Sequence, residues 1–111
     1  MAGLWLRASD LARVASLHLT AGRSSGRQQL APEWLAALPP SPRGSVGLGC
    51  FAQFSATEAG RRIGFAHDGD LGQWVTVQPV AGVVGVRART AMEEGDRFLW
   101  RDFPSDVGGL A

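Results

Sequence analysis

His67-Asp68, with Asp70 two places on, is where this chain of 111 residues sets a histidine beside carboxylates. An imidazole and two carboxylates are the residue types of a general base or a metal pair. Their setting is glycine-rich, and over 67–72 it reads as a solvated turn rather than a built site. His18 falls among leucines on a helical stretch and reads as a helix-face residue. Cys50 is the only cysteine, which excludes an internal disulfide and zinc-finger spacing and fits a compartment that tolerates thiols. A thiol nucleophile needs a basic or histidine partner, and none is identifiable in the sequence, so Cys50 beside Phe51 reads as a small buried hydrophobe. Gly47-Leu48-Gly49 has the glycine spacing of a cofactor-binding turn, a spacing that serves close backbone packing equally well. Arg61-Arg62 and the pair Arg87 and Arg89 are the candidates for a phosphate patch. Glu58, Glu93, Glu94 and Asp96 stand near them in sequence, and the net charge is only +1. Phosphate binding needs clustered positive charge, so direct nucleic-acid contact is not expected of this chain.

The elements that would position these groups divide the chain in two. Over residues 4–19, Leu4, Leu11 and Ala15 share a stripe with Ala8 between them while Arg7 and Arg13 lie off it, which predicts an amphipathic helix. Segment 20–29 is polar and rich in Gly and Ser and reads as a flexible linker. A helical turn follows at 32–37, with Pro32 suited to its first position. Pro39, Pro40 and Pro42 forbid its continuation. From Val46 the texture is of short β-type runs at 48–54, 62–66, 74–80, 83–88 and 97–100, divided by turns at 58–60, 67–72 and 93–96. Pro79 belongs at a strand end. The expected architecture is mainly β, a β-rich α+β fold, with a helical or irregular N-terminal lead over 1–34 and a β domain over 35–111. No run of 18 apolar residues is present, so no membrane span is expected.

Two phrases in the β region echo one another. With Gly60 placed on Gly95, Ser55 meets Thr90, Ala56 meets Ala91, Glu58 meets Glu93 and Arg62 meets Arg97. Each copy is strand, acidic turn with glycine, strand, which predicts antiparallel hairpins over 48–66 and 83–100. Leu48, Phe51, Ile63, Val86, Leu99 and Trp100 are expected to be mostly buried.

In that context residues 38–69, with Gly47-Leu48-Gly49, Phe51, Gly60, Gly64 and Gly69, resemble the opening of a PR domain, the SET-related module of PR-domain zinc-finger proteins. Phe65 stands where that family usually has proline. Residues 83–111, with Gly95-Asp96, Leu99, Trp100 and the tail Asp102 to Leu110, resemble its closing segment. Between them, near Trp74 and Val84, the family's middle section is shortened. The resemblance implies a small SET-like arrangement of hairpins in a nuclear transcriptional regulator. SET-type enzymes move a methyl group from S-adenosylmethionine to lysine, using tyrosine hydroxyls and an asparagine-containing loop. This chain has no tyrosine, asparagine or lysine, and all its basic residues are arginines. The expectation is therefore a catalytically inactive interaction module with no cofactor, Gly47 and Gly49 being at most a vestige of the cofactor turn.

Shortening the middle section would bare part of the sheet. That places a protein-partner surface at Trp74, Phe103 and the Val83–Val84 edge, rimmed by Arg87 and Arg101. Trp5 and Trp34 lie outside the sheet region, and core packing is the simpler role for Trp74 and Trp100. Alternatives are a small structural β protein of barrel or capsid type and an active lysine methyltransferase. Arg7, Arg13 and Arg23 among hydroxyl residues over 1–27 also fit a mitochondrial presequence.

Overall fold

The structure is a computed structural model that describes residues 6–41, 44, 46–48, 50–55, 57–69 and 73–88. Helix α1 spans Ala8–Ser16, with Asp10 in its first turn and Arg13 in its last. Both charges oppose the helix dipole favourably, and they pair at 3.3 Å on the exposed face. Ser16 Oγ donates to the Arg13 carbonyl at 2.7 Å as the helix ends. Segment 20–29 is not a flexible linker. It folds into a tight hairpin of β1 (Arg23–Ser24) and β2 (Arg27–Gln28), turning at Ser25 and Gly26, both at positive φ. Gly and Ser there encode a two-residue turn rather than slack chain. The Gln28 side-chain amide donates to the Ala21 carbonyl at 2.8 Å and to Leu30's at 2.5 Å, tying the hairpin to the entry of the next helix. Helix α2 spans Pro32–Ala37, with its proline at the start as expected.

Four strands then form one antiparallel sheet in sequential order: β3 (Phe51–Phe54), β4 (Arg62–Gly69), β5 (Gln73–Gln78) and β6 (Val83–Arg87). The turn between β3 and β4 matches its expected chemistry. Gly60 sits at φ +76°, Glu58 and Arg61 pair across it at 2.7 Å, and Ser55 Oγ accepts from the Glu58 N–H at 3.1 Å. Between β5 and β6, Gly82 N–H donates to the Pro79 carbonyl at 3.2 Å, placing Pro79 directly after β5. The predicted second hairpin, over 83–100, is reached only in its first strand. In the described residues β6 pairs with β5, Val77 opposite Val84 and Trp74 opposite Arg87. Gly95, Leu99 and Trp100 lie outside the described residues.

Register assigns the two faces of the sheet, because successive side chains alternate. Phe65, Val77, Val75 and Val84 share the face that α1 covers, and Ala15, Phe65 and Val77 form the buried cluster there, with Leu19 and Cys50 against it. The opposite face carries Phe51, Gln53, Trp74, Thr76 and Gln78. Thr76 is fully buried, and its hydroxyl donates to the Gln53 side-chain carbonyl. A buried polar pair of this kind is tolerated because each group satisfies the other. The β-rich α+β class read from the turn spacing is the one observed. Among the described residues no helix is long and apolar enough to cross a membrane.

Two of the expectations need correction. Leu48 is 62 % exposed, because Gly47 N–H donates to the Cys50 carbonyl at 2.8 Å and leaves Leu48 in a turn, not a strand. Phe51, Ile63 and Val86 are mostly, though not wholly, buried, as expected. His67 and Asp68 belong to β4, not to a loop, opposite Val75 and Trp74.

Candidate functional site

A cleft of about 200 Å³ opens between α1, α2 and the sheet. From α1 come Leu11, Val14 and Ala15, with His18 just beyond the helix; Leu30, Leu35 and Leu38 come from α2 and its flanks, and Phe65, Val75 and Val77 form the floor. The space follows from local sequence. Leu11 and Ala15 stand one helical turn apart, so α1 presents a large and then a small residue to the sheet. The hairpin at 23–28 sets α2 beside α1, and Leu35 turns inward while Trp34 points out, 66 % exposed. Val14 and Leu30 reach both the cleft and the surface.

His18, Cys50 and His67 are the polar side chains in this lining; no charged aspartate, glutamate or arginine belongs to it among the described residues. The His18 ring meets Phe65 edge-on, centroids 4.9 Å apart and planes at 70°. Burial lowers the His18 pKa below its ordinary value, toward the neutral imidazole. Burial likewise pushes the Cys50 thiol up, so at neutral pH it is a thiol rather than a nucleophilic thiolate. Both shifts have one cause: burial among apolar groups penalises the charged form of His18 and of Cys50. Among the described residues no group of three or more His, Cys, Asp or Glu is placed to hold a metal ion.

The residues singled out in the sequence are scattered. Trp74 is not a surface residue. It is 5 % exposed and packs edge-on against Phe51 at 5.3 Å, on the sheet face that also buries Gln53, Thr76 and Gln78. Val83 and Val84 are half-buried, Val84 against the α1 core, and Arg87 is half-buried opposite Trp74. The partner surface drawn through them is therefore corrected at Trp74; Phe103 and Arg101 lie outside the described residues. Arg61 and Arg62 form no joint patch. Arg61 pairs with Glu58, while Arg62 donates to the carbonyls of Pro40 and Ser41, each at 2.8 Å. His67 and Asp68, successive on β4, point to opposite faces; Asp70, Arg89 and Gly49 lie outside the described residues. Gly47 packs against the backbone of Leu38 to Pro40, the close-packing role. Sequence reasoning missed Val14, Leu30, Leu35 and Leu38 as site residues. The signal available was the apolar set flanking the short helix at 32–37.

No known protein family matches the sequence, and no curated protein matches it. Among solved structures the chain is similar to a "putative beta-lactamase" from Bacteroides dorei, with a TM-score of 0.57 at 14 % identity. The match covers 91 % of this chain and 39 % of that one, so this chain spans well under half of its length. At that identity the likeness is one of fold alone.

Proposed function

We propose that the chain is a catalytically silent interaction module whose cleft receives one apolar side chain of a partner protein. The observation that carries this reading is a cavity of about 200 Å³ whose lining holds no aspartate, glutamate or arginine among the described residues, with His18 and Cys50 held toward their neutral forms. Size narrows the occupant. A dry cavity of about 150 Å³ takes a benzene ring, and drug-sized ligands need roughly 300 Å³ or more. The cleft falls between, the scale of one large aliphatic or aromatic side chain. The resemblance to PR domains supplies the setting we propose, a transcriptional regulator in the nucleus. β-Lactam hydrolysis, which the name of the similar structure suggests, is not adopted. The serine enzymes of that chemistry use a Ser-x-x-Lys pair, and this chain has no lysine.

The test is peptide selection by display on the full chain, followed by affinity measurement against Val14→Glu/Leu30→Glu. These two rim residues are 53 % and 40 % exposed, so the variant should keep its circular dichroism spectrum. Selected peptides should share one bulky apolar residue and bind the variant at least about tenfold more weakly, a loss of about 1.4 kcal/mol. Peptides that bind both proteins equally, or carry no such residue, would remove the cleft as the binding site.

A further inference from the structure

The Arg62 guanidinium occupies an unusual place for a half-buried cation. The ion pairs formed among the described residues join Arg13 to Asp10 and Arg61 to Glu58, and none of them involves Arg62. Its Nη1 and Nη2 instead donate to two successive carbonyls, of Ser41 and Pro40, each at 2.8 Å, and its Nε donates to the Gly64 carbonyl at 3.4 Å. Carbonyl dipoles neutralise a cation less completely than an anion does, and a guanidinium fork is suited to phosphate oxygens. Beside it, Ser41 is exposed and followed in sequence by Pro42. The Ser41 carbonyl also accepts from Gly44 N–H at 3.0 Å. The serine hydroxyl and the carbonyl that Arg62 holds belong to the same residue, so an anion on that hydroxyl would sit on the residue that the fork already grips.

We propose that Ser41 is a phosphorylation site for a proline-directed protein kinase, and that its phosphate closes onto Arg62 and locks the Pro40–Ser41 segment to β4. In that step Ser41 Oγ forms a bond to the γ-phosphorus of a nucleoside triphosphate. The bond from that phosphorus to the bridging oxygen breaks, the nucleoside diphosphate leaves, and the hydroxyl proton passes to the kinase's base. The product carries nearly two negative charges at neutral pH, set against a cation that now holds only backbone oxygens. This site is independent of the apolar cleft and of the reading given for it.

The experiment treats the full chain with ATP and a proline-directed kinase, locates phosphate by mass spectrometry, and compares thermal unfolding before and after. Phosphate is expected at Ser41 and absent from Ser41→Ala, with the phosphorylated protein melting several degrees higher, as a gain of about 1 kcal/mol would give in a domain of this size. In Arg62→Gln that gain should vanish. Should Arg62→Gln fail to fold, phosphorus NMR on the wild-type chain decides instead. The second ionisation of the phosphate, ordinarily near pH 6, should fall by about half a unit or more relative to the same phosphopeptide free in solution. Absence of phosphate at Ser41 under conditions that modify that peptide would overturn the proposal. So would a phosphate whose titration matches the free peptide, or a melting gain that survives in Arg62→Gln.

Discussion

Half-buried against Phe65, the His18 imidazole has lost part of the water that would solvate its cation. Its position just after α1 pulls the other way, because a helix C-terminus favours positive charge. Burial is the larger effect, and the pKa is lowered from 6.5. The consequence for stability has a definite sign. Below the ordinary histidine value the unfolded chain takes up a proton that the folded chain refuses, so unfolding becomes easier as pH falls. This contribution is fully present above that value and lost as pH drops through the lowered one. Between about pH 7 and about pH 5, melting temperature should therefore fall more steeply for the wild type than for His18→Leu, which has nothing to protonate there. Superimposable profiles for the two proteins would mean that the ring is solvated in the fold.

Two glycines in one hairpin test what the strands require. Gly60 turns between β3 and β4 at positive φ with open space where a side chain would sit, so Gly60→Ala should cost only the conformational penalty, about 1 kcal/mol. Gly64 lies within β4, where an added Cβ would land on the Val77 carbonyl of the neighbouring strand. Gly64→Ala should cost roughly 2–3 kcal/mol, since the backbone itself must move. Urea unfolding of both variants checks the order; equal losses would show that β4 and β5 are not packed this closely. The turn at Gly60 was legible in the sequence because its signals are local: a serine that accepts backbone N–H groups, an acid and an arginine that pair across the turn, and a glycine. The short helix after Pro32 and the end of β5 at Pro79 were legible for the same reason. Trp74 reads both as core and as surface, because which face of a strand is covered depends on contacts distant in sequence, such as Phe51 against Trp74. The cleft was hidden likewise. Leu11, Leu35 and Val77 are far apart in the chain and meet only because the hairpin at 23–28 folds α2 back beside α1. A Gly-Ser stretch reads as slack or as a tight turn from composition alone, and hydrogen bonding to distant carbonyls decides between them.

At the scale of the molecule, a chain with a net charge of +1 has little electrostatic preference for a partner. The interaction reading thus rests on shape and apolar area, which makes it insensitive to salt where a charged interface would weaken. The sequential order β3, β4, β5, β6 has a further meaning, for the time course of folding. Every strand pairs with its neighbour in the chain, so the sheet can grow from short loops whose closure costs little entropy. Helix α1 is different: it packs on β5 and β6, across most of the described chain, so that contact closes a long loop. The sheet should therefore be largely formed at the rate-limiting step, with α1 docking afterwards. In stopped-flow experiments Gly60→Ala should slow folding. Ala15→Gly, which weakens the docked helix by about 1 kcal/mol, should mainly speed unfolding. The reverse assignment of the two effects would mean that the helix docks first and templates the sheet.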